Sequence, residues 1–227
     1  MSIYDRLSAS FRRRRRRLFL DGLQRLHRSL GRKVQVLDVG GVETFWEVVN
    51  PPDYATITII NLPAALQKPY WFTGRCPQIR CEPGSALDLS TWRDRNVDVV
   101  VSNSVIEHVG GWSEVARAAR ELRSAAPHGW VQTPAYTFPI EPHYALPFIH
   151  WFGAPVQAKL LRLLPHHGAR KGIDLGEARL QVEENNLLTA AEFKFLFADA
   201  ELMHERFVGL TKSLIATWGL MSRPLSH

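Results

Sequence analysis

The sequence is poor in sulfur, with two cysteines, Cys76 and Cys81, and three methionines among 227 residues. A C-x4-C pair without partner cysteines supports neither a disulfide framework nor a cysteine zinc site, so two reduced thiols are expected. No apolar run approaches the ~18–20 residues of a membrane span. No apolar stretch with a small-residue cleavage site follows the N-terminal arginines, so no secretory signal and a cytoplasmic location are expected. No internal repeat is present. The G-x-G-x-x-G string of nicotinamide-binding folds is also missing, which argues against a pyrophosphate cradle after the first strand.

Charge of one sign is scarce too, once it is located. The formal net charge is +6, but residues 12–17, from Arg12 to Arg17, are six consecutive arginines, so the remainder is neutral. Phe11 precedes this run and Leu18, Phe19 and Leu20 follow it. It reads either as a helical arm that meets anionic lipid or another anion, or as a solvated N-terminal helix. A neutral remainder makes nucleic acid an unexpected partner.

What is present is an alternation of strand and helix signals. Residues 1–30 carry leucines and phenylalanines at helical spacing. Strands are expected at 34–39 (VQVLDV), 56–62 (TITIINL), 80–89 with its loop, 97–102 (VDVVVS) and 129–133 (GWVQT). A helix is expected at 113–125, and another at 189–198 with Thr189 as N-cap and Glu192 in the capping box. Segments 201–209 and 211–218 read as an antiparallel pair closing the sheet edge. This order predicts an α/β fold, a doubly wound and mostly parallel sheet with its binding crevice at the carboxyl ends of the first and fourth strands. Residues 135–188 break the rhythm. Five prolines (Pro139, Pro142, Pro147, Pro155, Pro165) and a cluster of aromatics predict a cap-like insertion after the fifth strand within one domain. The pair His166-His167 reads as surface loop.

The unusual residues fall at the two predicted loops. After the first strand stands Asp38-Val39-Gly40-Gly41. The glycines admit close approach of a ligand to backbone, and the carboxylate repels a pyrophosphate but suits a cationic amino group such as that of a methionine moiety. After the fourth strand comes Ser102-Asn103-Ser104-Val105-Ile106-Glu107-His108-Val109. One decoy is set aside. Asn50-Pro51-Pro52-Asp53-Tyr54 is similar to the N-P-P-Y motif that clamps a flipped base, but it precedes the second strand and reads as a turn.

These strings resemble class I S-adenosylmethionine-dependent methyltransferases of the small-molecule type, over about residues 34–134 and 188–218. Asp38 to Thr44 resembles the glycine-rich D/E-x-G-x-G-x-G loop, with Val42 and Thr44 in place of the later glycines. Asn61 stands where the family has an acid that binds the ribose hydroxyls. Gly84-Ser85-Ala86-Leu87-Asp88-Leu89 resembles the G-D-A-x-D-L loop that lines the adenine, with Ser85 replacing its first acid. Residues 97–109 resemble the D-x-V-x-S-x-x-V-x-E-H-V signature.

The resemblance implies a Rossmann-like fold and S-adenosyl-L-methionine as cofactor, held by Asp38, Gly40, Gly41, Asn61, Ser85, Ala86, Asp88, Asn103 and Ser104. It also implies in-line displacement at the sulfonium methyl, a reaction that chiefly demands positioning and exclusion of water. For a hydroxyl acceptor, His108 and His143 are the candidate bases. Glu107, Tyr136, Glu141, Tyr144 and Trp151 are expected toward a small-molecule or glycan-type acceptor, with the aromatics serving either as stacking surface or as cap core. Together with Glu107 and Asp88, the residues His108, Glu141 and His143 could also hold a divalent metal, but nothing in the spacing demands one and none is expected. The competing readings are a nucleic-acid methyltransferase and a non-catalytic module that keeps the fold and binds partners.

Overall fold

Strands apolar on both faces need cover on both sides, and the alternation along β1 (Val34–Val39) shows how that cover is arranged. Leu37 and Val39 point into one hydrophobic cluster, while Val34 and Val36 point into the other. The computed structural model describes residues 3–164 and 173–220; the pair His166-His167 lies outside them. β1, β2 (Ala55–Asn61), β3 (Ile79–Pro83), β4 (Val99–Asn103) and β5 (His128–Pro134) run parallel. The short β6 (Ile140–Glu141) and β7 (Leu146–Pro147) form a hairpin of their own. β8 (Glu201–Phe207) and β9 (Leu210–Trp218) complete the sheet in the order β3-β2-β1-β4-β5-β9-β8. The closing pair is antiparallel, as its tight link predicts. β9 is the strand that opposes its neighbours on both sides, and β8 lies at the rim.

One face is covered by α1 (Ile3–Leu30) and α2 (Glu43–Val49), which place Phe19, Leu23 and Trp46 against the sheet. The other is covered by α4 (Ser90–Arg93), α5 (Trp112–Ala125) and α8 (Ala190–Leu196), through Trp92, Val115, Leu122 and Phe193. The short α3 (Pro63–Leu66) follows β2 at the carboxyl edge. α8 starts with the expected capping box: Thr189 accepts from the Glu192 N–H, and the Glu192 carboxylate accepts from that of Thr189.

The arginine run belongs to a helix whose later turns are core. Arg15 pairs with Glu205 at 2.9 Å, and Arg16 lies over the Phe45 ring at 5.0 Å. Arg13, Arg14 and Arg17 face solvent. Among the described residues, no helix is long and apolar enough to cross a membrane. Asn50 to Tyr54 is the turn into β2, and the Tyr54 hydroxyl donates to the Leu20 carbonyl.

The irregular stretch after β5 builds a third, smaller core. Besides the β6–β7 hairpin it contains a 3-10 turn at Ile149–Trp151, α6 (Ala154–Leu163) and α7 (Leu175–Glu183). Tyr144, Ile149, Ala158, Leu161, Ile173, Ala178 and Val182 pack together there. Its two ends meet where Ala135 bridges Leu188, so the segment leaves and rejoins the sheet at one place. That place adjoins the carboxyl ends of the parallel strands.

Candidate functional site

Strand order reverses between β1 and β4, and in open α/β sheets the crevice opens at that switch point. A cavity of about 770 Å³ lies there. Asp38 comes from β1, Ile60 and Asn61 from β2, and Val101 and Asn103 from β4. The glycine loop after β1, the loop 84–87 after β3 and the segment from Ser104 to Val109 complete much of the wall.

The first loop fits its glycines by necessity. Gly40 has φ +73°, and a Cβ there would lie 2.6 Å from the Val105 side chain. A Cβ on Gly41 would fall 2.0 Å from the Asp38 carboxylate. Asp38 is therefore wrapped by backbone. It is 3% exposed, and Trp46 Nε1 donates to its Oδ2 at 2.8 Å. Burial pushes its pKa up to about 7, against the opposing effect of the indole hydrogen bond. A carboxylate so poorly solvated favours a cation beside it.

Asn61 is engaged by the same loop. Its Nδ2 donates to the Gly41 carbonyl at 2.9 Å, and its Oδ1 accepts from the Leu62 N–H at 2.8 Å. An acid at this position has no hydrogen to give that carbonyl, which is a local reason for the amide. Ser85 and Ala86 line the cavity. Asp88 does not: it is exposed and accepts from the Ser90 N–H and hydroxyl at the start of α4. Asn103 and Ser104 line the wall, and Ser104 holds a positive φ of 56° with its hydroxyl donating to Gln132 Oε1. A non-glycine residue in this region is a strained position of the kind that gathers at functional loops.

At the edge of the cavity, four of the expected residues converge. His108 lines the wall, with Nδ1 2.9 Å from the Glu184 carbonyl oxygen. Its ring meets that of His143 at 4.7 Å between centroids. His143 Nδ1 lies 2.6 Å from Glu141 Oε1, and the Tyr144 N–H donates to Glu141 Oε2. Burial opposes charge on His143, but the Glu141 hydrogen bond and charge, aided by Glu107, raise its pKa. Glu107 is fully buried and accepts from the Thr133 hydroxyl. Burial raises its pKa although His108 and His143 lie close by.

Three of the expected acceptor contacts are placed elsewhere. Tyr144 is buried in the core of the insertion, its hydroxyl donating to the Gln181 carbonyl and accepting from Asn185 Nδ2. Trp151 donates its indole N–H to the Tyr136 carbonyl, which His150 Nε2 also contacts. Tyr136 and Trp151 thus tie the start of the insertion to its 3-10 turn, outside the cavity wall. Sequence reasoning passed over Phe45, Lys68 and Trp71, which line the cavity. Lys68 Nζ stands 4.2 Å from the Trp71 ring centre. The run Tyr70-Trp71-Phe72 soon after the second strand was the available signal for an aromatic wall.

Comparison with known proteins bears on the fold. No protein-family model and no curated protein matches the sequence. Among solved structures, an O-methyltransferase family protein from Burkholderia thailandensis aligns with a TM-score of 0.51 and 14% identity, over 83% of this chain and 52% of that one. PigF with S-adenosylhomocysteine aligns at 0.49 and 13% identity, over 82% and 50%. A chain described as a zinc-dependent alcohol dehydrogenase from Rhodobacter sphaeroides aligns at 0.49 and 12% identity, over 82% and 84%. The chain spans about half the length of the first two. The sheet order, the switch-point cavity and the likeness to the Burkholderia protein together establish a Rossmann-like α/β fold, shared with that O-methyltransferase family protein.

Proposed function

We propose that the chain transfers a methyl group from S-adenosyl-L-methionine to an oxygen of a small-molecule or glycan-type acceptor. The observation that carries this reading is Asp38, a buried carboxylate at the floor of the switch-point cavity with glycine backbone folded around it. A methionine amino group supplies the cation such a carboxylate favours. Gly40, Gly41, Asn61, Ser85, Ala86, Asn103 and Ser104 are the proposed remaining contacts to the cofactor, with Phe45 and Trp71 as apolar walls. Asp88, which accepts from Ser90 at the start of α4, acts through the loop it holds.

When bound, the cofactor would supply a sulfonium methyl for in-line attack by the acceptor oxygen, the sulfur leaving with the electron pair of the carbon–sulfur bond. His108 is the proposed base. The Glu184 carbonyl can only accept, so Nδ1 carries the ring hydrogen and Nε2 holds the lone pair for the acceptor proton. The insertion forms the proposed acceptor side, with Glu107, Glu141 and His143 behind His108.

A second reading is favoured by Asn61. Its amide is committed to Gly41 and Leu62, as in a fold kept for binding partners after the ribose acid is lost. A nucleic-acid acceptor is disfavoured by the neutral remainder of the chain and by Arg15 and Arg16, which pack against the body. Calorimetric titration with S-adenosylhomocysteine, with NAD as control, decides between the first two. Saturable one-to-one binding absent for NAD is expected, and no binding at millimolar ligand would sink the enzymatic reading.

A further inference from the structure

Each histidine in the cluster beside the cavity is held in the same way. Nδ1 of His108 faces the Glu184 carbonyl, and Nδ1 of His143 faces the Glu141 carboxylate. Both acceptors fix a ring hydrogen on Nδ1, so in its neutral form each ring carries its lone pair on Nε2. The third member, Glu107, is 0% exposed, and its Oε1 has no hydrogen-bond partner while the Thr133 hydroxyl donates to Oε2. A buried carboxylate oxygen left without a donor is costly. One ligating atom from each of Glu107, His108 and His143 lies within 4.8 Å of the other two. Three potential ligand atoms thus gather beside a buried carboxylate oxygen that has no hydrogen-bond partner.

We propose that Glu107, His108 and His143 bind a divalent first-row transition-metal ion, for which zinc is the reference probe. Two imidazoles and one carboxylate form a ligand set typical of such ions, with at least one position left for water or substrate. Magnesium and calcium prefer oxygen alone. The Glu141–His143 contact is the outer carboxylate that orients a metal-binding histidine and makes it more basic. Zinc at ~2.0–2.2 Å from each atom needs them roughly 3.3–3.6 Å apart, so the side chains close inward around the ion. His108 is exposed and the His143 side chain is 24% exposed, so the cluster is reached from solvent.

A second acidic cluster shows the contrast. Glu43, Glu47 and Cys76 are equally close together, but Glu43 accepts from the Gly74 and Cys76 N–H groups, and Glu47 from the Thr73 hydroxyl. Those carboxylates have their donors and carry no such inference.

Binding of the ion is independent of the methyl-transfer reading. Its use does rest on that reading: with the ion bound, His108 would be a ligand in place of the proposed base, and the ion would lower the pKa of an acceptor hydroxyl at its open position. The competing occupant is a proton shared between Glu107 and the imidazoles.

The test uses the full chain, free of any histidine tag and stripped with a chelator, titrated calorimetrically with zinc chloride and, separately, magnesium chloride. Cobalt(II) absorption reports the ligand geometry. One equivalent of zinc and no magnesium is expected to bind the wild type. His108→Ala and His143→Ala should each weaken zinc at least about tenfold. Glu141→Gln, which touches no ion, should weaken it by about 10–100-fold. Thermal melts without metal confirm that each variant is folded. Absence of saturable zinc binding, or equal binding by all three variants, overturns the site. S-adenosylhomocysteine titrated into the same preparation tests methyl transfer separately, so either reading can fail without the other.

Discussion

Asp38→Asn removes a charge while keeping shape, and its consequences have opposite signs for stability and for binding. In the folded chain burial raises the Asp38 pKa from 3.8 to about 7. An unfolded aspartate titrates near ~3.9. Below the unfolded value both states are protonated and the carboxyl costs nothing. As pH rises toward 7 the unfolded chain releases its proton and the folded chain retains it, so stability falls. Above the folded value the loss is complete, and a shift of about three units corresponds to about 4 kcal/mol. The variant keeps an oxygen for the Trp46 indole N–H and carries no titrating group. It should therefore match the wild type at pH 4 and exceed it by about 4 kcal/mol at pH 8, read from urea unfolding of both proteins at each pH. Comparing the two proteins cancels other titrating groups such as Glu107. Meanwhile the wild type should bind S-adenosylhomocysteine about tenfold more tightly at pH 8 than at pH 6, following ionisation near 7, and the variant should lose most of its affinity at both. Equal stability of the two proteins at pH 8 would refute the burial argument, and unchanged affinity in the variant would remove Asp38 from the cofactor site.

Three further outcomes follow from other residues. His108→Ala should leave S-adenosylhomocysteine affinity near that of the wild type and reduce turnover by about 10²–10⁴, checked by titration alongside single-turnover assays. Asn61→Asp, which installs the acid of the resembled family, should weaken cofactor binding because it removes the donor to the Gly41 carbonyl; tighter binding would show that the loop does not depend on that bond. Arg32 holds Asp98 bidentately at 2.7 and 2.8 Å. Burial opposes the Asp98 charge, but Arg32 and the Gln35 N–H outweigh it and hold the pKa below the usual range. This pair stabilises the fold above the unfolded carboxyl range and is lost as pH falls through the lowered folded value. Arg32→Ala should thus lower stability at neutral pH and cost less in acid, seen as a larger drop in melting temperature at pH 7 than at pH 3.

The parallel sheet was legible in the sequence because its signals are local. Val34 to Val39 is a strand by β-branched content and by an apolar run that only a sheet covered on both faces explains. Thr189 and Glu192 announce their helix because both partners of a capping box lie within one turn. Asp38 with its two glycines marks the switch point because conformational freedom and charge are properties of the residues themselves. Tertiary structure decided everything that depends on distance between segments. The wrapping that raises the Asp38 pKa comes from Trp46 and Gly41 folding back on it. Tyr144 is core because Gln181 and Asn185 come from a helix and loop far along the chain. Trp71 and Lys68 enter the cavity only because α3 follows β2 at the carboxyl edge. Spacing offered no reason to expect a metal, since Glu107 and His143 belong to separate segments and their approach is set by how the insertion returns to β5. Composition and periodicity determine which faces of each element must be buried; only the packed chain determines which lone pairs meet, because that is settled by contacts between segments that no local pattern encodes.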